Sequence, residues 1–277
     1  MPAAPSPKLI ALDLDGTLLD DSGRLTDRSV TAIEAAVDAG HLVVLATGRP
    51  PQMAVPVTEA LVGTVRHIVG GNGSIISTFP ESLADDPELL HLIGFDIDDA
   101  MTVVATLREH DAAYGFALAT DAGFAHEPGF ATLMPAAVHD EPVPDATAIG
   151  GTQAFKLLAF HATLSVHDLI TTVPNLIGGR TSTELLVSHM GADAVEIGPA
   201  DADKCTGLRW LCDHLGVAAA DVIAVGDEWN DLTMLEWAGR SVAMGNAGDR
   251  VKAVAGEVIG SHAEEGVAIF LESLLDN

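Results

Sequence analysis

A chain of 277 residues, 48% hydrophobic and 19% charged, holds enough apolar material for one large α/β domain or two modest ones, which excludes a disordered polymer. Its formal charge of −27 argues against nucleic acid as a partner, because phosphate binding needs clustered Lys and Arg, and lysine occurs only at 8, 156, 204 and 252. The longest apolar runs, such as HLVVLAT, are strand-length and far short of a membrane span.

The opening stretch MPAAPSPK shows no basic region followed by an apolar core, so no secretory signal is expected and a cytoplasmic location follows. Residues 8–14, KLIALDL, form a short, nearly continuous apolar run, which predicts a strand buried on both faces. TDRSVTAIEAAVDAG then predicts a helix, capped by Thr26 or Asp27 and stopped by Gly40. HLVVLAT, residues 41–47, is a second buried strand, and the two prolines of GRPP permit a new helix start. A helix over 52–63, a strand in RHIVG, and a turn at GNG into a further short strand complete the first third. Such alternation implies parallel pairing with helices on both faces.

From about Ser82 the rhythm changes. Acid-rich or proline-rich joints occur at ADDPE, HEPGF and DEPVPD. LLHLIGF, YGFALAT, QAFKLLAF and TELLVSH read as strands, and 98–110 and 165–173 as helices. The expectation is an α+β domain over 83–189, inserted into an α/β core made of 1–82 and 190–277. The first rhythm resumes after Gly198: helix 203–215, strand 221–226, helix 230–238, strand 240–244, helix 247–255, strand 257–260 and a last helix from about Glu264. The fold class is thus α/β, a doubly wound, mostly parallel Rossmann-like core with an inserted α+β domain. Cys205 and Cys212, seven apart on one predicted helix, are separated by about 10 Å and read as reduced structural residues.

Ligands bind doubly wound sheets at the carboxyl ends of the strands, and four segments deliver unusual chemistry there. The first strand ends in ALDLDGTLLD, with Asp13 and Asp15 one residue apart. The second ends in TGR, residues 47–49; Asp203 and Lys204 open the helix after the insertion; strand 221–226 ends in GDEWND. Carboxylates about 5 Å apart at an effective dielectric near ~20 repel by about 3 kcal/mol per pair. Either these acids face water or a cation sits among them. An oxygen-rich pocket of this type suits a hard cation such as Mg²⁺. One Asp can attack a phosphoryl group once the cation and Lys204 neutralise its charge. A second Asp, two residues along, shares its sheet face; it can protonate the leaving alcohol and later activate water.

DLDGT behind its apolar strand, TGR, a lone Lys opening a helix and GDxxND, in that order, resemble the haloacid dehalogenase superfamily. The long insertion between TGR and the Lys, with GGNGSII, VAMGNA and HAEEGVAIFLE, resembles the Cof-type phosphatases (subfamily IIB) over essentially the whole chain. The resemblance implies a Mg²⁺-dependent phosphatase whose inserted domain is a cap that selects the substrate. Carried onto this sequence, Asp13 is the nucleophile and a metal ligand, and Asp15 is the acid/base that also reaches the metal through its backbone carbonyl. Asp227 is the third protein ligand, with Asp231 at the metal or just behind it. Thr47 and Lys204 hold phosphate oxygens, helped by backbone N–H groups around Leu14 and Gly48. Arg49 and Asn230 are candidate substrate contacts, although a surface salt bridge serves equally well for Arg49. Asn72 is read as a turn residue. The chain departs from many relatives in placing Cys205, not glycine, after Lys204, and in the bulky Trp229. That ring begins the following helix and is expected near the inserted domain, where it can help shape a substrate pocket, while Glu228 is expected to face solvent or that domain.

Neither HExxH nor paired CxxC occurs, so the eleven histidines read as surface or core residues rather than zinc ligands. Nucleotide-cradling glycine loops are absent. The reading is an enzyme hydrolysing a small phosphorylated metabolite, a sugar phosphate, through an aspartyl phosphate, with Mg²⁺ as cofactor, neither nucleic acid nor membrane as partner, and a monomer or small homo-oligomer as its state. Two alternatives stay open: a phosphomutase or phosphotransferase passing the phosphoryl group to a sugar, and a phospho-ligand sensor without turnover. The intact Asp13/Asp15 pair speaks against the sensor.

Overall fold

The computed structural model describes residues 8–82, 85, 87–133, 141–189 and 193–276. The opening MPAAPSP lies outside the described residues, and the joints ADDPE and DEPVPD lie only partly within them. Two compact units result, one ending at Leu92 and resuming at Asp203, the other running from Ile93 to Ala202.

In chain order the first unit begins with β1 (Leu9–Leu12), α1 (Asp27–Asp38), β2 (Leu42–Ala46), α2 (Pro51–Val57), β3 (His67–Gly70), β4 (Ile75–Thr78) and β5 (Leu89–Leu92). Thr26 caps α1 by accepting from the Ser29 N–H, and Pro51 opens α2, where a missing N–H costs nothing. The second unit carries β6 (Phe95–Asp96), α3 (Ile97–His110), β7 (Tyr114–Thr120), β8 (Gly123–His126), α4 (Phe130–Leu133), β9 (Gln153–His161), α5 (Val166–Ile177), β10 (Leu185–His189) and β11 (Ala194–Pro199). The first unit then resumes with α6 (Lys204–Leu215), β12 (Val222–Gly226), α7 (Leu232–Trp237), β13 (Arg240–Ala243), α8 (Asp249–Val254), β14 (Glu257–Val258) and α9 (Gly266–Leu275).

The first unit is built on one eight-stranded sheet in the order β14-β13-β12-β1-β2-β3-β4-β5. Pairing is parallel from β14 to β3 and antiparallel at β4 and β5. Strand residues alternate between its two faces with period two. Ile10, Leu12, Val43, Leu45, Ile223 and Val225 pack with α1 and α9, whereas Leu9, Ala11, Val44, Val222 and Ala224 pack with α6 and α7. Both faces are covered, which explains why these strands read as unbroken apolar runs. The chain winds outward from β1 in both directions, so the strand order reverses between β1 and β12. That reversal places a crevice at the carboxyl ends of these two strands.

The second unit is an antiparallel sheet, β10-β11-β9-β7-β8 with β6 on β9, and α3 and α5 pack on one face through Val103, Val104, Leu107, Leu169 and Val173. Two local readings of the sequence differ from this arrangement. LLHLIGF is not one strand: Leu89–Leu92 pairs with β4 in the first sheet, and Phe95–Asp96 pairs with β9 in the second. The strand β11 was not anticipated, because AVEIGP carries Glu196 and ends in Gly-Pro, both weak strand signals. The units therefore divide after Leu92 and Ala202, where the sequence placed the divisions after 82 and 189.

Candidate active site

Asp13 and Asp227 each follow the last residue of a strand, and those strands are hydrogen-bonded neighbours in register, Leu12 opposite Val225. The Asp13 N–H extends the ladder by donating to the Val225 carbonyl at 3.1 Å. Two carboxylates are thus delivered side by side by backbone pairing alone, and both are buried. The chain then leaves β1 through a wide turn over Leu14–Leu18, in which Gly16 takes φ +79. A side chain there would be strained, and its Cβ would lie 2.3 Å from Oδ2 of Asp227. The turn brings Thr17 back, so that its hydroxyl donates to Asp227 Oδ1 at 2.8 Å.

The GDEWND loop closes on itself through Asp231. Its Oδ2 accepts from the N–H groups of Asp227 and Glu228 at 2.9 and 3.0 Å, and its Oδ1 accepts from Lys204 Nζ at 2.6 Å. Lys204 opens α6, whose N-terminus Asp203 caps by accepting from the Thr206 N–H at 2.7 Å. The β3–β4 turn passes so close that a Cβ on Gly73 would sit 1.7 Å from the Asp203 carbonyl oxygen. This close approach holds the start of α6 in place. Fully buried, Lys204 also donates to Asp13 Oδ1 at 2.5 Å.

Three buried carboxylates therefore surround one buried ammonium. Burial pushes Asp13 up to about 8, against the pull of Lys204 and with the charge of Asp231 adding to the rise. Burial likewise pushes Asp227 up to about 6, opposed by the Thr17 hydroxyl. Burial disfavours the charge on Lys204, but Asp13 and Asp231 outweigh it and hold the group above its ordinary value. The cluster carries more negative charge than one lysine compensates. Carboxylate oxygens of Asp13, Asp227 and Asp231 lie within 4.8 Å of one another, so these three side chains can share one cation. An all-oxygen donor set with an excess of negative charge fits a hard divalent ion such as Mg²⁺.

The remaining residues singled out by sequence lie outside this cluster. Asp15 does not join it: its side chain is 55% exposed and forms a bidentate pair with Arg49, Nε to Oδ2 at 2.8 Å and Nη2 to Oδ1 at 2.5 Å. Thr47 is fully buried at the end of β2, and its hydroxyl accepts from the Arg49 N–H at 3.1 Å. Asn72, at φ +55, is the turn residue expected, and it donates its backbone N–H to the Thr47 carbonyl at 3.1 Å. It does more than turn the chain, because its side-chain oxygen accepts from Asn230 Nδ2 at 2.9 Å. Gly48 lies against the same asparagine, where a Cβ would come 3.0 Å from Asn72 Oδ1. Leu14 points its side chain into the core beside Ile33 and Leu45, so only its backbone faces the turn. Glu228 is exposed and stays out of the cluster.

Two participants were missed from sequence. Thr17 belongs to the quoted DLDGT, but attention went to its acids. Asn246 stands just after β13, at another strand end, within VAMGNA. Its amide donates to the Gly16 carbonyl at 2.8 Å and to Asp227 Oδ2 at 3.2 Å, while its oxygen accepts from the His262 N–H at 3.1 Å. The strand-end rule that found the acids points to it as well.

The sequence model of the haloacid dehalogenase-like hydrolase family matches residues 10–271. Among curated proteins, the chain is 30% identical over 277 residues to the 5-amino-6-(5-phospho-D-ribitylamino)uracil phosphatase YitU of Bacillus subtilis, covering 96% of this chain and 97% of that one. It is 29% identical over 278 residues to the pyridoxal phosphate phosphatase YbhA of Escherichia coli, covering 97% and 98%. Among solved structures, a haloacid dehalogenase-like hydrolase from Bacteroides thetaiotaomicron superposes with a TM-score of 0.84 at 25% identity, over 97% of this chain and 99% of that one.

Proposed function

The chain belongs to the haloacid dehalogenase-like hydrolases, in their Cof-type branch, and from that premise we propose a Mg²⁺-dependent phosphomonoesterase that works on a sugar phosphate through an aspartyl phosphate on Asp13. The observation that carries the reading is the cluster of Asp13, Asp227 and Asp231 around the Lys204 ammonium, at the crevice where strand order reverses.

Lys204 engages Asp13 through Oδ1, leaving Oδ2 as the oxygen that attacks phosphorus. The bond from phosphorus to the ester oxygen breaks as the Asp13 bond forms, and Asp15 donates its proton to the departing alkoxide. Asp15 then takes a proton from water as that water attacks phosphorus, which frees inorganic phosphate and restores the Asp13 carboxylate. Lys204 and Thr47, with the N–H groups around Leu14 and Gly48, are assigned to hold phosphate oxygens. Arg49 otherwise occupies both Asp15 oxygens, so Asp15 takes its acid/base role on leaving that pair, and Asn230 is assigned to the substrate beside Asn72. Asp13 and Asp227, the Asp15 carbonyl, and Asp231 at or just behind them would hold Mg²⁺. The ion supplies neutralisation of the phosphoryl charge. Choice of substrate is assigned to the unit Ile93–Ala202, and the protein is proposed to act in the cytoplasm as a monomer or small homo-oligomer. Two relatives named for phosphorylated metabolites, one a ribitylaminouracil phosphate and one pyridoxal phosphate, support a small-molecule ester as the substrate.

Phosphate release from sugar phosphates, nucleotides and phosphorylated cofactors, measured with Mg²⁺ and with EDTA, tests the reading. Release is expected to need Mg²⁺ and to vanish in Asp13→Asn. Unchanged release in EDTA, or in that variant, overturns the mechanism.

A further inference from the structure

Trp229 has 64% of its surface exposed, the most among the large hydrophobic side chains described. Yet it sits in the loop between Asp227 and Asp231, two residues from each, and begins the short helical turn that positions Asp231. One face of the indole is already engaged: the Arg250 guanidinium carbon stands 4.3 Å from a ring centroid. Arg250 lies on α8, four residues beyond Asn246, and is itself exposed; among the described residues it stacks on this ring. A guanidinium stacked on one face fixes the ring and leaves the opposite face flat and open. It also places a positive charge at the rim of a strongly acidic chain, which favours approach of a phosphorylated compound. The next residue, Asn230, is tied to Asn72 at 2.9 Å, so the rim beside the cluster is polar at one position and aromatic at the next. A substrate made only of hydroxyl groups would use the first and leave the second uncovered.

We propose that Trp229, backed by Arg250, is a stacking platform for a planar heteroaromatic ring on the leaving group, so that the preferred substrates are phosphate esters whose sugar or polyol arm carries such a ring. This rests on the phosphatase reading and narrows its substrate class. Stacking of a heteroaromatic base on an aromatic side chain contributes enough that its removal shifts affinity on the order of ten-fold.

Matched esters that differ only by the ring test the platform: riboflavin 5′-phosphate against ribitol 5-phosphate, and adenosine 5′-phosphate against ribose 5-phosphate. In Trp229→Leu the ratio of kcat/KM for the ring-bearing over the ring-free member is expected to fall about ten-fold in at least one pair. Trp229→Phe, which keeps a stacking face, is expected to recover most of it. A ratio unchanged in both pairs overturns the proposal, as does an equal loss on both members. Equilibrium binding of the same esters to Asp13→Asn protein, with and without Trp229→Leu, gives a second ratio that does not depend on turnover. If the native protein hydrolyses none of these or any other ester, the phosphatase reading fails, and the binding ratio still decides whether Trp229 recognises the ring.

Discussion

Arg49 grips Asp15 with both prongs of its guanidinium, at 2.8 and 2.5 Å, joining the loop after β2 to the loop after β1. The pair lies at the surface, Asp15 being 55% and Arg49 29% exposed at the side chain. Its contribution to stability is therefore small, within about 1 kcal/mol. Its consequence is restraint: two parallel N–H···O bonds hold the Asp15 carboxylate outward, away from Asp13, so Asp15 must leave Arg49 before it can serve a leaving group.

Arg49→Lys keeps the charge but loses the fork, since an ammonium is a point donor. We expect the looser pair to release Asp15 more readily, so that kcat rises about two- to three-fold with the thermal midpoint nearly unchanged. Asp15→Ala, which removes the proton donor itself, is expected to lower kcat by about 10²- to 10⁴-fold. Steady-state kinetics with melting curves separate the two effects, and a fall of kcat in Arg49→Lys would refute the restraining role.

Lys204 has no exposed surface, and it compensates Asp13 and Asp231 together. Replacing it with Met removes the ammonium from the cluster and leaves three buried carboxylates, Asp13, Asp227 and Asp231, without it. Loss of one partner from a buried ionic group costs about 3–5 kcal/mol. Urea unfolding of Lys204→Met is expected to show a loss of that size in EDTA and a smaller one in Mg²⁺, because carboxylates freed of the ammonium bind the cation more tightly than in the native protein and so gain more stability from it. A loss under about 1 kcal/mol would mean that the cluster relaxes into water.

Much of this site was legible in the sequence because it is made by strand ends. Parallel pairing of β1 with β12 brings Asp13 and Asp227 together; the buried character of KLIALDL and of residues 221–226 predicts that both belong to one parallel sheet, though not that they are neighbours. What sequence could not convey was direction. Asp13 and Asp15 share a sheet face only if the strand continues, and it does not. Gly16 turns the chain at φ +79, so Asp13 goes inward to Lys204 and Asp15 outward to Arg49. The missed strand and the divided LLHLIGF have the same origin: short antiparallel strands are set by their partners, and those lie far away in sequence.

Asn246, in the loop after β13, ties together the loops after β1, β12 and β14, by donating to the Gly16 carbonyl and Asp227 Oδ2 and accepting from the His262 N–H. The Thr17 hydroxyl holds the other Asp227 oxygen. With both partners present the carboxylate has one orientation. Removing such a supporting partner from a metal site typically costs about 10- to 100-fold in metal affinity. Asn246→Ala is expected to weaken Mg²⁺ binding within that range by calorimetry while leaving the fold intact by circular dichroism. Native affinity in the variant would assign Asn246 to loop packing alone.

The raised carboxylates make the cluster sensitive to both pH and metal. Asp13 and Asp227 stand at about 8 and about 6, above the usual 3.8, chiefly because burial disfavours their charge. Between those values and 3.8 the native state keeps protons that the unfolded chain has released, so stability falls as pH rises through this window. The contribution is complete below 3.8, reduced past 6 and lost beyond 8. Burial opposes but hydrogen bonds from Ser182 and Thr183 outweigh it at Asp99, which is held below the usual range and so titrates under the window. Burial lowers His41 and His67 as well, and their effect runs the other way up to 6.5. Both histidines lie outside the cluster, so their effect is common to metal-loaded and metal-free protein and cancels in the difference. Mg²⁺, if held by these carboxylates as proposed, would bind their ionised form and tighten as they deprotonate. The gap between melting midpoints in Mg²⁺ and in EDTA is therefore expected to widen steadily from about pH 5 to about pH 8. A gap that is constant or narrows over that range would show that Asp13 and Asp227 do not hold the ion, and in Asp227→Asn the widening is expected to shrink.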